Sequence, residues 1–164
     1  MMLYKSRNHN IVDSLRFWVE IQGLQVGGFS EVSGLRAEIE MEEYAEGGVN
    51  DFVHRFPKRT KYPPLVLKRG MTYSSTLWDW FYQTQIGKVK RTSGSIILRD
   101  NNGDEVCRWN FFDAYPVKWI GPELNATRSQ VAVESIEIVH NGLKAIFNNN
   151  DVGLLGLLMR YLKW

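Results

Sequence analysis

Apolar and polar residues alternate with period two along much of the chain, the mark of half-buried β-strands. Leu15, Phe17, Val19 and Ile21 alternate with Arg16, Trp18, Glu20 and Gln22, and Gly23 ends the run. Gln25 to Leu35 predicts a second strand or an extended turn, with bends at Gly27, Gly28 and Gly34. Ala37, Ile39 and Met41 then alternate with Glu38, Glu40 and Glu42. This strand has one apolar face and one row of carboxylates spaced about 6.8 Å apart. Gly47-Gly48 marks the turn after it. A basic extended stretch follows from Phe52 to Tyr62, where Pro57, with Pro63 and Pro64 beyond, prevents a regular central strand. Leu65 to Arg69 returns to strand pattern.

Period 3.6 shows in one internal segment. Thr76 to Ile86 predicts a helix with Ser75 as N-cap and Gly87 just past its end. Leu77, Trp80, Phe81 and Thr84 share one face, which predicts docking of Leu77, Trp80 and Phe81 on a sheet. Trp78 and Tyr82 lie on another face. Strands resume at Ser95 to Arg99. Asp100 to Asp104 predicts a hairpin turn, and Glu105 to Phe112 returns with Cys107, Trp109 and Phe111 on one side. Tyr115 to Trp119 is another short strand, or the same one after a bend near Pro116. Val131 to His140 predicts the last strand. Val131 and Val133 are out of step with Ile136 and Ile138, which predicts either a bulge near Glu134-Ser135 or a change of buried face.

The tail differs in character. Successive asparagines at 148 to 150 precede Asp151, a suitable N-cap. Val152, Leu155, Met159 and Leu162 then share a helical face, although Gly153 and Gly156 weaken the helix. Three placements stand for it: packed on its own domain, docked on a neighbouring subunit, or adsorbed at a membrane surface with Arg160, Lys163 and Trp164 at its rim.

Composition narrows the class. The 164 residues are 44% hydrophobic, 23% charged and 13% aromatic, which excludes a disordered chain and suits a folded β domain. No run of about 18 apolar residues exists to span a bilayer, and Met1 to Asn10 lacks the apolar core of a secretory signal. The lone Cys107 excludes an intramolecular disulfide. A net charge of +2 is no nucleic-acid signature. The layout of charge is more informative. Glu38 to Asp51 carries carboxylates and no base, whereas Phe52 to Arg69 carries Arg55, Lys58, Arg59, Lys61, Lys68 and Arg69 and no acid. Either the blocks are two solvated faces of one hairpin, or one subunit's acidic patch meets the basic patch of the next in head-to-tail association.

Signals of catalysis are absent. The motifs of nucleophile elbows, Walker A loops and dinucleotide sites do not occur. His9, His54 and His140 have no metal-ligand spacing with one another or with Cys107. His54 reads as a surface residue, His140 as a structural residue at a strand end, and Cys107 as a buried small hydrophobe. No enzyme activity, metal or cofactor is expected.

Several segments in order carry a resemblance: VGGFSEVSGL at 26–35, EEYAEGGVNDFVHRFPKRTKYPPLVLKRG at 42–70, RWNFFDAYPVKWIGPELNA at 108–126 and VAVESIEIVHNGL at 131–143. Together they resemble the T4-like tail tube family, the inner tubes of contractile phage tails and contractile injection systems. The resemblance covers roughly 12–144. It implies a mainly β fold, a β-sandwich or barrel-like tube domain over 1–144 with one flanking helix, followed by a helical C-terminal extension over 145–164. It also implies hexameric rings stacked head to tail around a lumen for cargo or DNA. The partners would be copies of itself, a sheath protein, and baseplate, tube-initiator and tube-terminator proteins, with no specific binding of nucleic acid. Assembly would occur in the cytoplasm of the producing cell, in a particle that is retained or released. Glu38, Glu40 and Glu42 are then candidates to face the lumen. Tyr44, Asn50, Asp51, Arg55, Lys58, Arg59 and Lys61 are candidates for the contact between rings or subunits. Typical members end near Leu143, so Leu155, Met159 and Leu162 in the extension are candidates for a specialised contact. The alternative function is a tube initiator or baseplate adaptor.

Overall fold

A computed structural model describes residues 16–24, 27–44 and 53–148. Nine strands and one helix follow in the order β1 (Phe17–Ile21), β2 (Phe29–Ser33), β3 (Glu38–Tyr44), β4 (His54–Lys61), β5 (Leu65–Gly70), α1 (Thr76–Gln85), β6 (Thr92–Arg99), β7 (Glu105–Ile120), β8 (Val133–Val139) and β9 (Gly142–Phe147). A seven-stranded sheet has the order β1-β6-β7-β8-β5-β2, with β9 added beside β7, and β3 and β4 pair separately. All recorded pairings are antiparallel.

The architecture turns on β7. It is one strand of 16 residues rather than two. Its first half pairs with β6 and β9, and its second half pairs with β8. Between them the register with β6 slips, and Asp113 takes a positive φ of 53°. A bulge of this kind sharpens local twist and redirects the strand, so β7 belongs to two layers, one with β1, β6 and β9 and the other with β8, β5 and β2. Its buried phase changes at the bulge from Cys107 and Phe111 to Ala114 and Pro116.

The layers enclose a common core. Val19, Ile21, Ile96 and Phe111 meet Leu65, Leu67, Ile136 and Ile138, and α1 contributes Leu77 and Trp80. The helix starts after Ser75, whose Oγ donates to Asp79 Oδ2 at 2.7 Å instead of capping a backbone N–H. It stops at Gly87, where φ is +82° and the backbone N–H reaches Thr84 O.

The phase conflict near Glu134 has a different cause from a bulge. The register of β8 with β5 runs without a slip from Val133 to Ile138. The inward residues are Glu134, Ile136, Ile138 and His140, whereas Val131 and Val133 face out. The buried Glu134 Oε1 accepts from Arg69 Nε at 2.7 Å, and its Oε2 accepts from Trp119 Nε1 at 3.0 Å. A charged residue in the core phase and apolar ones outside it mimic a slip in the sequence. The 131–140 strand is also not the last: β9 follows and runs past residue 144, so the boundary expected there falls inside a strand.

Candidate assembly surface

After Ser33 the chain reaches Gly34, whose φ is +86° and where any Cβ would collide with the Pro64 carbonyl. Only glycine supplies both the left-handed turn and the close approach. The two segments that pair as β2 and β5 approach closely here and pair again beyond it as β3 and β4. The ladder breaks at 34–37 on one chain and 62–64 on the other. Seven residues of β3 give an arm of about 24 Å, and no other described element packs substantially against it.

The arm has two unlike sides. On one lie Ile39 and Met41, 61% and 63% exposed, opposite Thr60 and Pro57. On the other lie Glu38, Glu40 and Glu42. The register slips between Ile39 and Met41, which sets Lys58 and Arg59 against Glu40. Arg59 Nε donates to Glu40 Oε2 at 2.6 Å, and Lys61 Nζ also contacts Glu40. Lys58 Nζ meets Glu42 at 3.1 Å, Arg55 Nε meets Glu43 at 3.0 Å, and Arg36 meets Glu38 at 3.3 Å. Lys61, and then Arg59, hold the Glu40 carboxyl below its ordinary range. Glu38 to Glu43 of the acidic block and Arg55 to Lys61 of the basic block are therefore the two strands of one hairpin, paired within the chain, whereas Lys68 and Arg69 lie in β5. Each such exposed pair adds little to stability, because water and salt screen it.

Tyr44, Arg55, Lys58, Arg59 and Lys61 all lie on this arm and are exposed. Asn50 and Asp51, together with Leu155, Met159 and Leu162, lie outside the described residues. In α1, Leu77 and Trp80 are buried and Phe81 packs against the core. Trp78 meets Trp119 edge-on at 4.8 Å and stacks with Tyr82 at 6.5 Å, leaving Trp78 and Tyr82 half exposed.

Sequence reasoning missed the apolar surface of the arm. Alternation announced a two-faced strand but not that both faces are open. Phe56 is also exposed, but opposite Glu42 and so on the carboxylate side. The proline at 57 was the available signal, since it fits a marginal strand better than a central one. Among the described residues no cluster of histidine, cysteine and carboxylates could hold a metal, and burial pushes the Cys107 thiol up, away from its reactive form. No described helix is long and apolar enough to cross a membrane.

Comparison with known proteins identifies the architecture. The model of the T4-like virus tail tube protein gp19 family matches residues 13–144. The chain belongs to this tail tube family. Among solved structures, the tube protein resembles a chain of the anti-feeding prophage baseplate at 24% identity and a TM-score of 0.75, covering 84% of this chain and 97% of that one. It resembles a chain of the sheath-tube complex of the extracellular contractile injection system PVC at 23% and 0.76, covering 85% and 94%. A chain of the anti-feeding prophage tube-terminating cap gives 22% and 0.77, covering 89% and 99%. These likenesses show a shared tail-tube fold. No curated protein matches the sequence.

Proposed function

We propose that this tube protein is the inner-tube subunit of a contractile phage tail or injection system, and that its copies form hexameric rings stacked head to tail around a lumen. The observation that carries the reading is the arm. An isolated two-stranded hairpin is at best marginally stable in water, and this one leaves Ile39, Met41 and Phe56 exposed. A second copy is the natural cover for such a surface in a self-assembling family. β1 and β2 end the described sheet path, so each has an edge open to a neighbour.

In this reading the Ile39 and Met41 side of the arm seats on the adjacent copy with Arg55 along the contact, while Tyr44, Lys58, Arg59 and Lys61 share the carboxylate side. The opposite side turns Glu38, Glu40 and Glu42 to the water of the lumen, where ion-paired carboxylates cost little. Cargo or DNA passes through this wetted wall while a sheath surrounds the tube. Baseplate, initiator and terminator proteins close the ends, and assembly takes place in the cytoplasm of the producing cell. The tube acts passively: the sheath contracts and drives it forward. No reaction is assigned to it.

A second reading is favoured by one observation: the family match ends at 144, within β9, and the sequence continues to 164 outside that match. If Leu155, Met159 and Leu162 contact another component, the chain is an initiator or adaptor that joins tube to baseplate. Electron microscopy of the purified full chain separates these readings. Long hollow tubes support the subunit, and single rings that never stack support the adaptor. A monomer at every salt concentration, with and without its sheath protein, overturns both.

A further inference from the structure

We propose that His140 is a latch on the root of the arm, closed while the ring is neutral and released on acidification. This goes beyond the assembly role and holds for the single protomer, whatever the arm docks on. His140 sits just after β8 and is 6% exposed. Its ring lies between Tyr62 of the arm root, at 5.4 Å between centroids, and Phe111 of β7, at 6.5 Å. Nδ1 donates to the Gly142 carbonyl at 3.0 Å, at the start of β9. Nε2 is buried with no hydrogen bond. The Pro63 carbonyl favours the protonated ring without meeting hydrogen-bond geometry.

The neutral ring carries one N–H, and the Gly142 carbonyl takes it. A second proton would create an imidazolium in a site walled by two aromatic rings. Tyr62 is the titratable group packed on the ring. β7 supplies Phe111, β9 supplies a carbonyl, and no charged side chain among the described residues perturbs it. Burial therefore dominates and depresses the affinity of the ring for a proton, against the smaller pull of the Gly142 and Pro63 carbonyls. The sign follows. The closed root prefers neutral histidine, whereas an opened, hydrated root takes a proton in the ordinary imidazole range. The closed form is favoured above that range and loses ground as pH falls through it. The cover over the ring is Tyr62-Pro63, where the ladder is already broken. Hydrating the ring costs least by lifting that segment and with it the arm. β8 itself stays held on both sides by β5 and β7.

Hydrogen exchange on the full-length protein tests the latch, between about pH 7.5 and about pH 5, corrected for the intrinsic pH dependence of exchange. The expected result is about tenfold faster exchange in the segments around Gly34–Ala37 and Tyr62–Leu65 at the acidic end, with β6 and β7 unchanged. His140→Phe keeps an aromatic ring between Tyr62 and Phe111 but cannot ionise, and it should abolish the response. His140→Gln serves the same purpose if the phenylalanine variant does not fold. An unchanged root in the parent protein, an equal response in the variant, or loss of protection across the whole body in step with the root would each overturn the latch.

Discussion

The body and the arm use the same strands in opposite ways. Both are antiparallel, and both alternate apolar with polar residues. In the body, Leu65, Leu67, Ile136 and Ile138 are fully buried against the opposing layer and α1. In the arm, Ile39 and Met41 stand in water although their pattern is the cleaner of the two. The charges divide the other way. The body encloses one ion pair almost fully, Arg69–Glu134, besides others nearer its surface such as Lys118–Glu137, whereas the arm strings its pairs along the surface. An enclosed pair is costly to break, whereas an exposed one is nearly free to lose. The body is thus specified from within, and the arm is left to be specified by whatever covers it.

The largest effect should come from breaking the body. Glu134→Ala leaves Arg69 buried without a counter-charge and Trp119 Nε1 without an acceptor. The expected loss is about 3–5 kcal/mol. For a chain of this length that lowers the melting temperature by about 10 °C, measurable by calorimetry. A change within about 2 °C would show that the pair is hydrated rather than enclosed. Leu67→Ala should cost about 2–5 kcal/mol by cavity formation.

The arm should give the reverse pattern. Ile39→Asp with Met41→Asp should move the melting temperature of the protomer by less than about 2 °C, as expected for exposed sites. The same pair should abolish rings or tubes in sedimentation. Intact assembly would sink the apolar docking surface. A large fall in melting temperature would mean that the arm packs on its own body.

Removing arm charges is expected to do least. Lys58→Ala should change stability by about 0–1 kcal/mol, a difference that shrinks as added salt screens the exposed pair. The pH dependence of the same carboxylates is a finer probe. Lys61 and Arg59 lower the affinity of Glu40 for protons, and Arg108 does the same for Glu105. Both contributions are present above the ordinary carboxylate range and fade as pH falls through the folded-state values. Acid titration followed by circular dichroism should show a shallow decline there, made shallower by Glu40→Gln. An unaltered curve would mean that Glu40 is solvated rather than paired.

Much of the fold could be read from the residues. The alternation at Phe17–Ile21, the turn at Asp100–Asp104 and the helix face of Leu77 and Trp80 all reflect local rules that tertiary packing did not override. β9 escaped because Gly142–Phe147 is short and carries Lys144 within it, and only its pairing with β7 makes it a strand. Glu134 misled because a buried carboxylate in an apolar phase looks like a register slip until its partner Arg69 is known, 65 positions away. The candidate surface was legible as a region but not in its energetics. The charge blocks drew attention to the right hairpin. Their pairing within the chain was invisible, because register depends on the slip opposite Glu40. Which molecule covers an apolar face is simply not encoded in the period of one strand.

The bulge at Asp113 carries a mechanical consequence. Because a single strand runs through both layers, there is no seam along which the layers can slide past each other. Shearing them would require stretching covalent backbone or stripping hydrogen bonds from both halves of β7 at once. Each protomer behaves as a stiff block. In any array of such blocks, bending and twisting compliance collects at the arm roots, where the ladder is interrupted on both chains.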